Sequence, residues 1–158
     1  MRFIATLKKI LKMKNRSSAI IILFAARSAA NPFKLRKDHD TIRVKDLKTS
    51  VKFYKDILGL DQIDNGGLGD HIKWFQLDNN VQLHLVESDA QIEKHKGFHS
   101  AFNTENLSEF MDFLRTNNIP FENGKGEKDT FTNRPDGIRQ IYFQDPDGYW
   151  IEVNDNKV

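Results

Sequence analysis

The sequence predicts an α+β protein built from two similar halves. Each half shows the pattern of a strand, an amphipathic helix and then three more strands. The halves also correspond in numbering, because His39 and Leu47 are matched by His99 and Leu107 at a constant offset of 60. A repeated order of this kind indicates a duplicated unit. The predicted units are two tandem βαβββ modules, residues 37–90 and 96–156.

The elements of the first half follow from alternation and from helical spacing. Residues 39–44 alternate between polar and apolar side chains, as in a half-buried strand. Apolar residues at helical spacing begin at Leu47, and Gly59 is expected to end that helix. The half is completed by a short strand at 60–64 and a hairpin of residues 72–77 with 81–87.

The second half repeats this order and ends in the clearest hairpin signal of the chain. The turn is Asp145-Pro146-Asp147-Gly148, where proline presets φ and glycine accepts a positive φ. The predicted elements are a strand at 97–103, a helix at 107–114, a short strand from Ile119, a polar loop at 124–137 and a hairpin at 138–154.

Residues 1–30 are predicted to be a signal peptide or a basic leader rather than part of the fold. Residues 12–16 are basic, residues 19–26 are apolar, and Ser28-Ala29-Ala30 has the form of a cleavage site. The apolar run is too short to span a bilayer. A cleaved signal predicts a periplasmic or secreted protein without a stable membrane anchor, and an uncleaved leader predicts a cytoplasmic one. The start codon could be Met1 or Met13.

The charge is distributed unevenly along the chain. Ten of the 24 Lys and Arg residues lie in residues 1–37, which contain no acid, so the remainder carries 14 basic against 22 acidic residues. An acidic globular part predicts no nucleic-acid partner. The absence of cysteine excludes disulfides, a thiolate nucleophile and cysteine-based zinc sites.

Four strands each place polar side chains opposite an apolar face. Helices pack on the apolar face, so the polar faces are predicted to line a separate cavity. Three imidazoles and one carboxylate, one from each strand, are a plausible set of ligands for a divalent metal ion. These candidate ligands are His39, His84, His99 and Glu152; the other predicted lining residues are Thr41, Arg43, Gln82, Asn103, Trp150 and Asn154.

Several motifs resemble those of a known family. They are His39 followed by Lys45-Asp46-Leu47, the helix end Phe53-Tyr54 with Leu58-Gly59-Leu60, and Asp145-Pro146-Asp147-Gly148 followed by Ile151-Glu152. Together they resemble the vicinal oxygen chelate superfamily, which includes glyoxalase I, fosfomycin-resistance proteins, extradiol dioxygenases and bleomycin-binding proteins. The resemblance covers about residues 37–156 and implies a glyoxalase-like domain at 31–158, in which two modules form a cupped mixed sheet around a metal-binding cavity.

The resemblance also implies a set of functional residues. It implies one divalent ion (Zn, Ni, Co, Fe or Mn) bound by His39, His84, His99 and Glu152, and a small-molecule substrate. The substrate is expected to contact Arg43, Asn103 and Trp150, and a homodimer is expected because cavities in this fold often form between chains.

The loop lengths and motifs of this chain resemble those of the short glyoxalase-like members of the superfamily. This resemblance implies a lyase or isomerase that acts on a 2-oxoaldehyde–thiol adduct. Glu152 is then the expected catalytic base. Bacterial glyoxalase I enzymes usually have glutamate where His84 stands, so other reactions are also considered. These are an extradiol-type dioxygenase, which uses two histidines and a carboxylate, a fosfomycin-type thiol transferase, which uses His, His and Glu, and a non-enzymatic binding protein.

Overall fold

A computed structural model describes residues 35–78, 80–91 and 93–157. The chain divides into two units, Met1–Lys37 and Asp38–Val158, and all the elements below belong to the second. The predicted signal peptide or leader, residues 1–30, lies outside the described residues. None of the described helices is long and apolar enough to cross a membrane.

The predicted βαβββ order is confirmed in both halves. The first half contains β1 (His39–Val44), α1 (Leu47–Asp56), β2 (Gln62–Ile63), β3 (Ile72–Asp78) and β4 (Val81–Glu87). The second contains β5 (His99–Asn103), α2 (Leu107–Thr116), β6 (Phe121–Glu122), β7 (Thr132–Asn133), β8 (Arg139–Gln144) and β9 (Trp150–Asn154). Strand β7 corrects the prediction that residues 124–137 form only a loop, because residues 132–133 pair with β8.

The strands form two mixed sheets. The first has the order β1-β4-β3-β2, and the second has the order β5-β9-β8-β6 with β7 paired to β8. In each sheet the first strand of the module runs parallel to the last, and the remaining pairs are antiparallel. Strands β1 and β5 lie at the ends of their sheets. The α+β fold with two modules therefore agrees with the prediction.

The strand register shows that the halves are repeats residue by residue. Thr41 pairs with His84 in the first sheet, and Ala101 pairs with Glu152 in the second. Across the antiparallel neighbours, His84 pairs with Trp74 and Glu152 pairs with Tyr142. First-strand positions therefore differ by 60 and last-strand positions by 68 between the halves, and His84 and Glu152 are structurally equivalent.

Each sheet has one apolar side that packs on the helices. The buried core of the first module comprises Val44, Leu47, Tyr54, Phe75, Leu83 and Leu85. That of the second comprises Leu107, Met111, Leu114, Phe121, Ile141, Phe143, Ile151 and Val153. Phe53 and Leu58, from α1 and the segment after it, pack against both cores and join the modules. Alternate strand residues point away from these cores and form the polar side of each sheet.

The turn between β8 and β9 links the second module to the first. The Tyr54 hydroxyl donates to Asp145 Oδ2 at 2.9 Å, and both residues are buried. Asp147 accepts from the Ser50 hydroxyl at 2.9 Å and from the Lys45 backbone N–H at 2.9 Å. Burial raises the pKa of Asp145 above its usual value. The turn therefore has two roles, since it reverses the chain and holds the start of α1.

Candidate metal site

All four predicted ligands lie on the polar sides of the two sheets. His84 and Glu152 are buried, with 7% and 6% of their surface exposed. The side chains of His39 and His99 are 42% and 26% exposed. Ile151 and Val153 belong to the core, so alternation along β9 directs Glu152 to the opposite side, as predicted. The structure brings these four residues together as two pairs, one on each sheet.

The second sheet pairs His99 with Glu152. His99 Nε2 lies 3.3 Å from Glu152 Oε2. The same Oε2 accepts a hydrogen bond from the Tyr142 hydroxyl at 2.6 Å, and Oε1 accepts one from Asn154 Nδ2 at 2.7 Å. Burial and then the bond to Glu152 raise the pKa of Tyr142, so its hydroxyl stays protonated at neutral pH. Two neutral donors thus fix the position of the Glu152 carboxyl group.

The hydrogen bond at Nδ1 of His99 determines the tautomer of its neutral ring. Nδ1 lies 2.7 Å from the backbone carbonyl of Lys96, which can only accept, so Nδ1 carries the proton. In the neutral ring Nε2 then presents a lone pair to a carboxylate oxygen. Two facing lone pairs require a proton or a cation between or beside them. Two ligand atoms about 2.1 Å from a tetrahedral ion are about 3.4 Å apart, so the observed 3.3 Å fits a shared metal ion.

The first sheet holds its two histidines in a stack of rings. The His84 ring lies between those of His39 and Trp74, with centroids 4.2 Å away on each side and interplanar angles of 11° and 5°. Burial and then the neighbouring His39 lower the pKa of His84, which keeps it neutral. Neutral imidazole is the form that binds metals. Lone pairs of stacked rings lie in parallel planes, so both rings cannot aim at one ion while they remain stacked.

The hydrogen bonds of this pair engage one nitrogen of each ring. His39 Nδ1 lies 2.6 Å from Asp38 Oδ2, an acceptor, so its Nε2 is left with a lone pair. A carboxylate on the second nitrogen is the usual way in which a metal-binding histidine is oriented. His84 Nε2 likewise lies 2.9 Å from Gln82 Oε1, an acceptor, which leaves Nδ1 with the lone pair of the neutral ring. Each ring therefore keeps one nitrogen for a ligand bond, and His84 also serves as a packing element.

No group of three or more His, Cys, Asp or Glu side chains among the described residues is close enough to hold one metal ion. Each sheet supplies two candidate ligands, and a four-ligand set requires both. The donor types fit a divalent ion such as zinc, nickel or cobalt. The tertiary structure thus offers two half-sites within the part of the chain that it covers.

The three residues predicted to contact substrate also lie on the polar sides. Arg43 and Asn103 are exposed, and they occupy equivalent positions because they differ by the offset of 60. Trp150 is partly buried, pairs with His99 in the register and has the Lys96 ammonium 4.6 Å from its ring centroid. The contacts of these three residues with a substrate remain predictions. His71 and His95 are exposed.

Three further residues of the half-sites were missed by the sequence-based prediction. Tyr142 holds Glu152, Trp74 stacks on His84, and Lys96 contacts both His99 and the aromatic rings beside it. Tyr142 and Trp74 could have been found, because each occupies the same position opposite a predicted ligand. Trp74 Nε1 is buried without a hydrogen-bond partner among the described residues. That N–H is an available donor beside the first half-site.

Two βαβββ modules with candidate histidine and carboxylate ligands on the first and last strand of each are the arrangement that the motifs predicted. Residues 36–153 match the family model described as the Glyoxalase/Bleomycin resistance protein/Dioxygenase superfamily. The chain belongs to this superfamily, as its motifs predicted. The match spans both modules and all four candidate ligands.

Curated relatives of similar sequence come from bacteria. An uncharacterized protein of Bacillus subtilis, YwbC, is 29% identical over 129 residues, which cover 74% of this chain and 94% of that protein. The metallothiol transferase FosB of Staphylococcus epidermidis is 29% identical over 126 residues, covering 74% of this chain and 79% of that protein.

Solved structures show the same fold. The oxidase ChaP-H2 superposes with a TM-score of 0.66 at 22% identity, covering 79% of this chain and 96% of that one. A lactoylglutathione lyase from Agrobacterium tumefaciens gives a TM-score of 0.60 at 20% identity, covering 80% and 96%. These neighbours include different reactions on one fold, so the reaction must be argued from the site.

Proposed function

We propose that this protein is a metal-dependent glyoxalase-like enzyme, a lyase or isomerase. Its proposed substrate is a 2-oxoaldehyde–thiol adduct or a related small molecule with two neighbouring oxygens. The observation that carries the proposal is the His99–Glu152 pair, in which the Nε2 atom and a hydrogen-bonded carboxyl oxygen lie 3.3 Å apart. When bound, a divalent ion supplies Lewis-acid polarisation of the substrate oxygens.

Glu152 is the proposed catalytic base. The reaction moves a proton from the carbon that bears the sulfur to the neighbouring carbonyl carbon. The hydroxyl proton on the first carbon moves to the oxygen of the second, which gives a 2-hydroxy thioester without an oxidant or reductant. Glu152 Oε2 is the oxygen that takes and returns this proton, while Tyr142 and Asn154 keep the carboxyl group in place. Glu152 would also hold the metal ion together with His99.

The substrate is proposed to lie across the polar sides of the sheets. Arg43 has an exposed guanidinium group that suits a carboxylate or another anionic group of the substrate. Asn103 is exposed and is a hydrogen-bonding group for a neutral oxygen. The Trp150 ring offers an apolar wall.

The complete site is proposed to form in a homodimer. The half-sites of one chain each hold two candidate ligands, and no three of them come together within the described residues. Strands β1 and β5 carry His39 and His99 and lie at the ends of their sheets, where a second copy could approach. Two chains arranged with the first half-site of one against the second half-site of the other would give two equivalent sites, each with three histidines and one glutamate. Ligation by both His39 and His84 would require their rings to leave the observed stack.

Thiol transfer is the second candidate function, and the state of His84 favours it. Its stacking on two rings and its bond to Gln82 are consistent with a supporting role. His39, His99 and Glu152 would then make a His, His, Glu set. One relative at 29% identity is a metallothiol transferase.

The two reactions can be separated by parallel assays. The purified protein is supplied in turn with nickel, zinc, cobalt or manganese. It is then given either the adduct of methylglyoxal with a low-molecular-weight thiol, or the thiol together with fosfomycin. Thioester formation from the first mixture supports the glyoxalase-like proposal, and thiol consumption in the second supports thiol transfer. Absence of both activities with all four metals would contradict an enzyme of either type.

Metal binding is tested with substitutions of Glu152. Elemental analysis of the wild-type protein is expected to show about one divalent ion per chain. Glu152→Ala should lose this ion and lower the free energy of unfolding by about 1–3 kcal/mol, since the buried Tyr142 and Asn154 donors lose their acceptor. Glu152→Gln keeps an acceptor for them, so it should lose metal with a smaller effect on stability. Stoichiometric metal in both variants would refute the site.

A mixing experiment tests the dimeric site. Glu152→Ala chains and His39→Ala chains should each bind little metal alone. A heterodimer of the two has both substitutions in one shared site and none in the other, so it should regain about half of the wild-type metal. No recovery on mixing, with heterodimers demonstrated by mass spectrometry, would instead place each site within one chain.

A further inference from the structure

We propose that Lys96 is a positioning residue for metal binding, which fixes His99 so that its Nε2 atom faces Glu152. This inference rests on the metal site of the proposed function and adds to it a residue outside the set of ligands. Lys96 lies three residues before His99, in the segment that leads into β5. Its backbone and its side chain act on the same half-site from two directions.

The backbone of Lys96 determines the orientation of the imidazole. Its carbonyl oxygen lies 2.7 Å from His99 Nδ1 and accepts the proton there. That bond fixes the neutral tautomer in which Nε2 is the free nitrogen, and it limits rotation of the ring. A shift of this carbonyl would release both constraints on His99.

The side chain of Lys96 holds that carbonyl in place. Its ammonium forms an ion pair with Glu122 of β6 and lies 3.4 Å from the carbonyl oxygen of Asn123. It also lies 4.6 Å from the ring centroid of Trp150, which pairs with His99 across the sheet. The side chains of Lys96 and Glu122 are only 23% and 22% exposed, so the pair is shielded from water and salt. The ammonium therefore ties the segment before β5 to β6 and β9.

The ion pair also removes an electrostatic conflict. An uncompensated ammonium near a divalent cation would weaken binding of that ion. Glu122 supplies the compensating negative charge, so Lys96 can position His99 without repelling a metal. The equivalent histidine of the first half-site has no such support, because the Nδ1 atom of His39 is held by Asp38, whose side chain is 87% exposed.

The test compares three lysine substitutions in the full chain. Lys96→Met removes the ammonium and keeps the length of the side chain, whereas Lys96→Arg keeps the charge and the stacking on aromatic rings. Lys94→Met is the matched control, since Lys94 contacts the Asp147 carbonyl and the Tyr149 ring instead. Zinc and nickel affinities are measured by competition with a chelator, the His99 tautomer by nitrogen NMR of metal-free protein, and folding by thermal unfolding.

Lys96→Met is expected to bind metal about 10–100-fold more weakly than the wild type, with a mixture of His99 tautomers. The metal affinity of Lys96→Arg should stay within about threefold of the wild-type value, and His99 should keep the Nδ1–H tautomer. Glu122→Gln should weaken metal binding as well, because it leaves the ammonium unpaired. Wild-type affinity in a folded Lys96→Met protein, or an equal loss in Lys94→Met, would overturn the inference. A wild-type protein that binds no metal would instead refute the proposed function, and the tautomer measurement would still test Lys96.

Discussion

Removing one hydroxyl group from the contact between the modules should destabilise the whole domain. Tyr54 Oη lies 2.9 Å from Asp145 Oδ2, and the two residues are 3% and 5% exposed. The other oxygen of Asp145 accepts from the backbone N–H groups of Asp147 and Tyr149, at 3.0 and 2.8 Å. Tyr54→Phe leaves those two bonds intact and deprives only Oδ2 of its described donor.

The expected loss follows from the charge and burial of this oxygen. A hydrogen bond to a charged group contributes about 1.5–3 kcal/mol, and a buried acceptor left without a donor keeps the full cost of desolvation. We therefore expect Tyr54→Phe to lower the free energy of unfolding by about 1.5–3 kcal/mol, a fall in Tm of roughly 5–12 °C for a domain of this size. Urea denaturation followed by fluorescence and circular dichroism measures this difference.

The same substitution predicts a dependence on pH. Burial raises the pKa of Asp145 above 3.8, and the Tyr54 bond opposes that rise by favouring the carboxylate. A carboxyl group whose folded pKa is raised costs stability as pH increases from 3.8 through that pKa. Without the hydroxyl the folded pKa rises further, so the cost of Tyr54→Phe should be largest at neutral pH and should shrink as the pH approaches 3.8.

Tyr149→Phe is the control, because it deletes the same group beside the same turn. The Tyr149 hydroxyl accepts from the Arg43 backbone N–H at 3.3 Å, a longer and neutral hydrogen bond. Its loss should cost about 0.5–1 kcal/mol. A smaller loss of unfolding free energy for Tyr54→Phe than for Tyr149→Phe would refute this prediction. Equal losses for Tyr54→Phe at neutral pH and near the ordinary aspartate pKa would also refute it.

Two further predictions concern titrating groups. Arg139 bonds both carboxylate oxygens of Asp155 at 2.7 Å and lowers its pKa, so this contact stabilises the protein above pH 3.8 and is lost as pH falls through the lower folded value. Asp155→Asn should therefore lower the free energy of unfolding at neutral pH and have almost no effect on it in strong acid. An effect of the same size at both pH values would contradict this prediction. The pKa of His84 measured by NMR should lie below 6.5. The free energy of unfolding should therefore fall as the pH decreases from 6.5 through the lower pKa of the folded state. In His39→Ala the pKa of His84 should move up toward 6.5; no movement would show that the neighbouring ring has no influence.

The fold was largely readable from the sequence because its signals are local. Alternation along β1, β4 and β9, helical spacing after Leu47 and Leu107, and the turn at Asp145–Gly148 are each encoded within a few neighbouring residues. The offset of 60 joined these local patterns into two copies of one unit. Strand β7 was missed because residues 132–133 are polar and too short to show a period.

The side of the sheet on which each candidate ligand lies was also determined by the sequence. Alternation assigned His39, His84, His99 and Glu152 to the polar sides, and the register confirms that they occupy matching positions. Their chemical type, imidazole or carboxylate, is a property of the chain itself. A metal-binding superfamily could therefore be recognised before any distance was known.

Only the tertiary structure decided which of these groups face one another. The approach of His99 to Glu152, the stack of His84 on Trp74 and the contacts of Lys96 all join residues on different strands or loops. Such contacts depend on sheet order, register and rotamer, and no local pattern encodes them. The sequence alone thus determined two modules and four candidate ligands, whereas the packing of the strands decided that these ligands form two pairs, because side chains meet only where the backbone brings their strands together.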